Sequence, residues 1–216
     1  PGTFADMFLR AADFGSLRPV VADATTGQLP PPDTVYAGII VTGSPAMVTD
    51  REPWSDRSAA WLKEAAGLGR NILGVCYGHQ LLAHALGGKI GYSPKGMELG
   101  SHLVSLQGEA SRNHPLFAGV PEAFPAYMAH SQSVLTPPPG ARTLASSEHD
   151  SFQVLEFGKT CFGLQFHPEF TGSIMSAFAH HVMTHDQSEN ICFQPPLEVT
   201  PHAAKVLQNF LKLCEA

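Results

Sequence analysis

The chain has 216 residues, 44% of them hydrophobic and 15% charged, with a formal net charge of −6. That length and apolar share fit one globular domain over residues 1–216 with a sizeable core. The acidic balance, with no polybasic stretch, argues against nucleic acid as a partner, and no apolar run reaches the roughly 18 residues that cross a bilayer.

In chain order, "FADMFLRAADFG" places Phe4, Met7, Phe8 and Ala11 at helical spacing and ends at Gly15. "PVVADA" is a short strand candidate. After the loop "LPPPD", "VYAGIIVTG" is apolar almost throughout, as a strand covered on both faces should be. "EPWSDRSAAWLKEAAGLG" reads as a helix, with Pro53 in its first turn and Trp54, Trp61, Leu62 and Ala65 on one side. "NILGVC" is a strand, and "GHQLLAHALGG" a helix closed by glycine. This alternation predicts an α/β fold, a doubly wound, mostly parallel sheet with helices on both faces. Past Gly88, "HLVSL", "AYMAHSQSV", "RTLASSEH", "FQVLEFG" and "TCFGLQFHP" follow closely, which predicts antiparallel strands in the second half. "TPHAAKVLQNFLKLCEA" reads as an amphipathic terminal helix with Val206, Phe210 and Leu213 in a stripe.

Cys76, Cys161, Cys192 and Cys214 are scattered without a CxxC pair. That argues against a structural zinc site or a disulfide framework and for a reduced, cytoplasmic protein. "GVCYG" sets Cys76 between glycines at positions 74 and 78, the pattern of a strand-to-helix elbow. Such a turn lifts the sulfur above the carboxyl end of the sheet, where open α/β sheets bind ligands. The helix N-terminus behind it favours thiolate, and its free N–H groups, that of Tyr77 included, can face an oxyanion. A lone cysteine is more commonly a small buried residue, so the elbow needs a base. "QFHPEF" offers one: His167 at or just past a strand end, held extended by Pro168, with Glu169 two residues on to orient the imidazole. "VTGSP", at the end of the most apolar strand, could bring in a second amide near Gly43.

"GVCYGHQ", "QFHPE" and "TGSP", in this order and spacing, resemble the class I glutamine amidotransferases with a Cys-His-Glu triad, over roughly Val35 to Thr171. The resemblance implies a flavodoxin-like fold, with Cys76 as nucleophile, His167 as general base and acid, and Glu169 as orienting carboxylate. It implies oxyanion amides at Tyr77 and the Gly43–Ser44 segment, and substrate contacts from Gln80, Ser131 and Gln132. Many members have Gly-Gly-Pro where this chain has Gly43-Ser44-Pro45, and Ser44 adopts positive φ less readily, which bears on whether the second amide is preformed. The family sheet also opens with a strand ahead of the first helix, so that strand is expected to lie outside these residues.

The resemblance implies hydrolysis of the γ-carboxamide of glutamine or a γ-glutamyl compound through a thioester, with no cofactor. "PKGMELG" is similar to standalone members of the γ-glutamyl peptidase kind. Within these 216 residues there is no room for a synthetase domain. The alternatives are a glutaminase subunit feeding ammonia to a separate synthase and a catalytically idle binding protein on the same fold. "HHVMTH" places His181 and His185 one helical turn apart, but with no third ligand evident no metal is predicted and the pair reads as an exposed helix face.

Overall fold

The computed structural model describes residues 2–185, 190–197 and 199–215. Helix α1 (Phe4–Ala11) comes first, then strand β1 (Ile39–Val41), α2 (Pro53–Gly67), β2 (Ile72–Val75) and α3 (Tyr77–Ala85). The second half holds β3 (Lys89–Tyr92), β4 (Met97–Leu106), α4 (Gly108–Arg112), β5 (Ala123–His130), β6 (Gln132–Thr136), β7 (Arg142–Ser146), β8 (Val154–Phe157) and β9 (Cys161–Leu164). Helix α5 (Gly172–His185), β10 (Ile191–Gln194) and α6 (Pro201–Glu215) complete the order.

The main sheet is eight-stranded and mixed, in the order β1-β2-β9-β8-β7-β4-β10, with β5 also paired to β4. Parallel pairing joins β1 to β2, β2 to β9 and β4 to β10. Antiparallel pairing joins β4 to β5 and β7, and β8 to β7 and β9, as expected for the second half. Strands β3 and β6 form a separate antiparallel pair.

Alternation along the strands decides which helix covers which face. Ile72 and Cys161 point into the cluster holding Leu62 and Ala65 of α2 and Leu81 and Leu82 of α3. Their neighbours Leu73 and Phe162 point the other way, into the cluster holding Val206, Leu207 and Phe210 of α6. Both faces are therefore covered, and the central strands are wholly buried and apolar.

Some elements depart from their sequence signals. "PVVADA" forms no strand: Val20 and Val21 are 81% and 60% exposed, and no strand among the described residues pairs with them. β-propensity without a partner does not make a strand. Strand β1 is confined to Ile39–Val41 because its partner β2 spans only Ile72–Val75. Helix α1 stops at Ala11, short of Gly15, although a capping box starts it well: Asp6 N–H donates to Thr3 Oγ1 at 3.2 Å and Thr3 N–H to Asp6 Oδ2 at 2.8 Å. Among the described residues no strand precedes α1.

The parallel trio positions the site. Because β1, β2 and β9 run side by side in one direction, the segments leaving Val41, Val75 and Leu164 emerge together at one edge. They carry Gly43–Ser44, Cys76 and His167.

Candidate active site

Cys76 sits between β2 and α3 with φ 51° and ψ −104°, a conformation that side-chain-bearing residues rarely adopt. The turn is pinned on both sides: Cys76 N–H donates to the Leu164 carbonyl at 2.8 Å, and Gln80 N–H to the Cys76 carbonyl at 3.1 Å. The flanking glycines are required by space. A Cβ on Gly74 would strike the Gly78 backbone, and one on Gly78 would strike the Val41 carbonyl. Helix α3 thus lies directly on β1 and β2, and the strain falls on the cysteine itself. Tyr77 is fixed by a 2.5 Å hydrogen bond between its hydroxyl and Ser55 Oγ. As the first residue of α3 it has a backbone N–H without an intrahelical acceptor.

His167 N–H donates to the Tyr127 carbonyl at 2.9 Å, and the ring Nδ1 lies 2.7 Å from Glu169 Oε1. The imidazole face stacks on Phe170, with centroids 4.0 Å apart and planes 14° apart, and Phe4 lies 6.2 Å from it. Burial alone would raise the Cys76 thiol, but the charge of His167 beside it, then that of His130, brings it below its ordinary value. Burial alone would lower His167, and the opposing charges of Glu169 and Cys76 raise it well above the usual imidazole range. The pair therefore favours thiolate and imidazolium.

Gly43 and Ser44 reach the same place without positive φ, so the departure at Ser44 imposes no backbone strain here. Gly43 sits in a tight spot: a Cβ there would lie 3.1 Å from His167 Cε1 and 3.1 Å from a Phe4 ring carbon. Ser44 lines the cavity, and its Oγ accepts from Ala46 N–H at 3.1 Å.

The cavity has a volume of about 360 Å³. Among the side chains that line it, Gln80, Ser131 and Gln132 are polar, and Phe4, Met97, Phe170 and Phe178 are apolar. Gln80 Nε2 is already engaged, donating to the Gln132 carbonyl at 2.6 Å and to Gln165 Oε1 at 3.1 Å. Gln132 donates to Thr49 Oγ1 at 2.5 Å, while its Oε1 is buried without a partner.

Sequence reasoning gave no site role to His130, Phe4, Phe178 or His181, all of which line this cavity. His130 could have been found, since it immediately precedes Ser131. Phe4, on α1, gave no local signal. His181, read as an exposed helix face, stacks on His185 with ring centroids 4.5 Å apart. Among the described residues no group of three or more His, Cys, Asp or Glu side chains could hold a metal ion, and no helix is long and apolar enough to cross a membrane.

Comparison with known proteins bears on this geometry. The chain is 39% identical over 132 residues to a GMP synthase [glutamine-hydrolyzing] of Thermomicrobium roseum, covering 61% of this chain but 23% of that protein. It is 27% identical over 161 residues to gamma-glutamyl peptidase 3 of Arabidopsis thaliana, covering 73% of this chain and 65% of that one. The chain thus spans about a quarter of the GMP synthases it matches and just under two thirds of this peptidase. In fold it is similar to a glutamine amidotransferase of Thermotoga maritima, with TM-score 0.71, 20% identity, and coverage of 90% and 85% of the two chains. The family model for glutamine amidotransferase class-I matches residues 18–184, a span that takes in the elbow, the His167 strand end and the polar side chains that line the cavity. The chain belongs to the class-I glutamine amidotransferase family.

Proposed function

We propose that the protein hydrolyses the γ-carboxamide of glutamine or of a γ-glutamyl compound, with Cys76, His167 and Glu169 as its catalytic triad. The observation that carries this reading is the strained Cys76 elbow facing an imidazole whose Nδ1 is held 2.7 Å from a buried carboxylate.

Cys76 Sγ attacks the amide carbon, and the carbonyl electrons move onto oxygen. The Tyr77 N–H and the Gly43–Ser44 segment face that oxyanion. The imidazolium of His167 gives its proton to the leaving nitrogen, the C–N bond breaks, and ammonia or an amine departs. His167 then takes a proton from water, which attacks the thioester; the C–S bond breaks, releasing the γ-carboxylate and the thiol. Glu169 holds the imidazole's orientation throughout. Ser131 and Gln132 meet the amino-acid end of the substrate. No organic cofactor or metal enters these steps.

Replacing Cys76 with Ala should abolish hydrolysis of glutamine and γ-glutamyl amides while leaving the melting temperature near that of the wild type. A variant that keeps its activity would sink the assignment. A second reading is supported by the likeness to GMP synthases: the protein would deliver ammonia to a separate synthase. A stoichiometric synthase recovered with the tagged protein, with hydrolysis stimulated by it, would favour that reading. An unreactive Cys76 would favour an idle binding protein.

A further inference from the structure

A second histidine shares the wall of the Cys76 cavity. His130 closes β5, and both its ring nitrogens face acceptors: Nε2 lies 2.9 Å from Glu98 Oε2, and Nδ1 lies 3.0 Å from the Gln132 carbonyl. A carbonyl only accepts, so Nδ1 carries a proton. Glu98 is itself surrounded by donors. Gln153 Nε2 donates to Oε2 at 2.8 Å, and Ser147 Oγ donates to Oε1 at 2.8 Å. Ser147 Oγ also accepts from Asp150 N–H and from Gln153, which leaves its own proton for Glu98. His102 Nδ1 stands 3.5 Å from Oε1. A carboxyl group so supplied with donors is ionised, and His130 Nε2 must then be the donor across that contact. The ring is an imidazolium with no nitrogen to spare. The side chains of His130 and Glu98 are 1% and 0% exposed, so their charges are little screened.

We propose that His130, held as a fixed cation by Glu98, is a positioning residue for the Cys76 nucleophile. It stabilises the thiolate by charge and, through the Gln132 carbonyl, holds the turn that carries Ser131 and Gln132 into the cavity wall. The inference rests on the amide-hydrolysis reading for its catalytic meaning. With both nitrogens engaged, His130 exchanges no proton with substrate; that work is left to His167, whose Nδ1 alone is spent on Glu169.

The groups around His130 agree with a cation there. Burial alone would lower its pKa, but the bond and charge of Glu98, followed by Asp150 and Cys76, raise it. His149 crosses it edge-on at 6.4 Å. His79, beneath the elbow, is driven by burial to a pKa of about 3 and so adds no competing charge. The charge of His130 acts on Cys76 in the same direction as that of His167.

The test is the pH dependence of Cys76 alkylation by iodoacetamide, read by mass spectrometry of the Cys76 peptide, in the wild type, Glu98→Gln and His130→Gln. Glu98→Gln keeps the shape of the pair and removes the anion that holds its charge. Both variants should move the alkylation midpoint up by about one pH unit and slow labelling on the acid side about tenfold. A lower melting temperature with an unmoved midpoint would mean a structural role only and would overturn the proposal. Should a variant fail to fold, NMR titration of the His130 ring in the wild type decides the matter: a ring that loses its proton near the ordinary value of about 6.5 also overturns it. A Cys76→Ala protein that still hydrolysed its substrate would remove the hydrolysis reading and the catalytic meaning of the pair together. An unmoved midpoint with Cys76 still essential removes only the role of His130.

Discussion

Of the histidines that line the Cys76 cavity, His130 and His167 are each held by a buried glutamate, yet the two pairs differ in what they leave free. Glu98 has donors on both oxygens, and His130 has acceptors on both nitrogens. Glu169 accepts from His167 on one oxygen, while its Oε2 is buried without a partner. His167 keeps one ring nitrogen for the thiol. A closed network fixes a charge; an open one can pass a proton. The difference between the pairs is therefore one of chemistry, though both place a positive ring near one sulfur.

The sharpest way to break this comparison is to remove each ring in turn. His167→Asn should lower turnover by about a thousandfold or more, as loss of a triad base does. His130→Asn should lower it by only about tenfold, the worth of one charge interaction near 1.4 kcal/mol. Steady-state kinetics on glutamine or a γ-glutamyl amide would measure both, and losses of similar size would erase the distinction. The wild-type pH profile carries the same message. The Cys76 pKa is lowered, so thiolate forms below the ordinary thiol value of about 8.5, and activity is lost as pH falls through that lowered value. The His167 pKa is raised, so the imidazolium survives above about 6.5, and activity is lost again as pH rises through the raised value.

In stability the ranking should reverse. Glu98→Ala leaves a buried imidazolium, the Gln153 amide and the Ser147 hydroxyl without their acceptor, and should cost about 3–5 kcal/mol. Glu169→Ala removes one paired oxygen and one already unpaired, and leaves the His167 imidazolium the Cys76 thiolate as counter-charge, so it should cost less, about 1–3 kcal/mol. Denaturant midpoints at equal slope would measure the gap. A larger loss at Glu169 would mean that the two networks have been misassigned.

Phe170 tests a finer point. Its ring covers one face of the His167 imidazole at 4.0 Å, where an aromatic face favours the cation. Phe170→Leu keeps the bulk but removes that face, and should reduce kcat about two- to thirtyfold, the span of cation–π energies from exposed to desolvated sites. Because Phe170 also lines the cavity, KM is the control: a change confined to KM would make it a packing residue alone.

The elbow, the His167 strand end and the order of β1, α2, β2 and α3 were legible because each is local. Two glycines around a cysteine, or a proline behind a histidine, constrain the backbone within a few residues. The second pair was not legible, since Glu98 and His130 stand 32 residues apart and meet only through the antiparallel register that sets Glu98 opposite His130. Phe4 reaches the cavity only because α1 packs beside Phe170, with ring centroids 6.4 Å apart. Strand β10 is four residues of mixed burial that pair in parallel with β4, which no short-range pattern announces. "PVVADA" failed for the opposite reason: it has the residues of a strand, and no strand among the described residues pairs with it.

His102 makes the smallest and most discriminating test. Its Nδ1 stands 3.5 Å from Glu98 Oε1, farther than the 2.9 Å contact of His130, and its Nε2 lies 3.0 Å from the Leu99 carbonyl. If the fixed charge near Cys76 belongs to His130, removing the more distant imidazole should leave it in place, because Ser147, Gln153 and His130 still hold the carboxylate. His102→Gln should then cost about 1 kcal/mol of stability, the worth of an ordinary hydrogen bond, and change turnover by less than about twofold. The alkylation midpoint of Cys76 should not move. A midpoint that rose as far as in His130→Gln would show that the charge is shared along the whole Glu98 cluster, and the contrast would then lie between one histidine and a network.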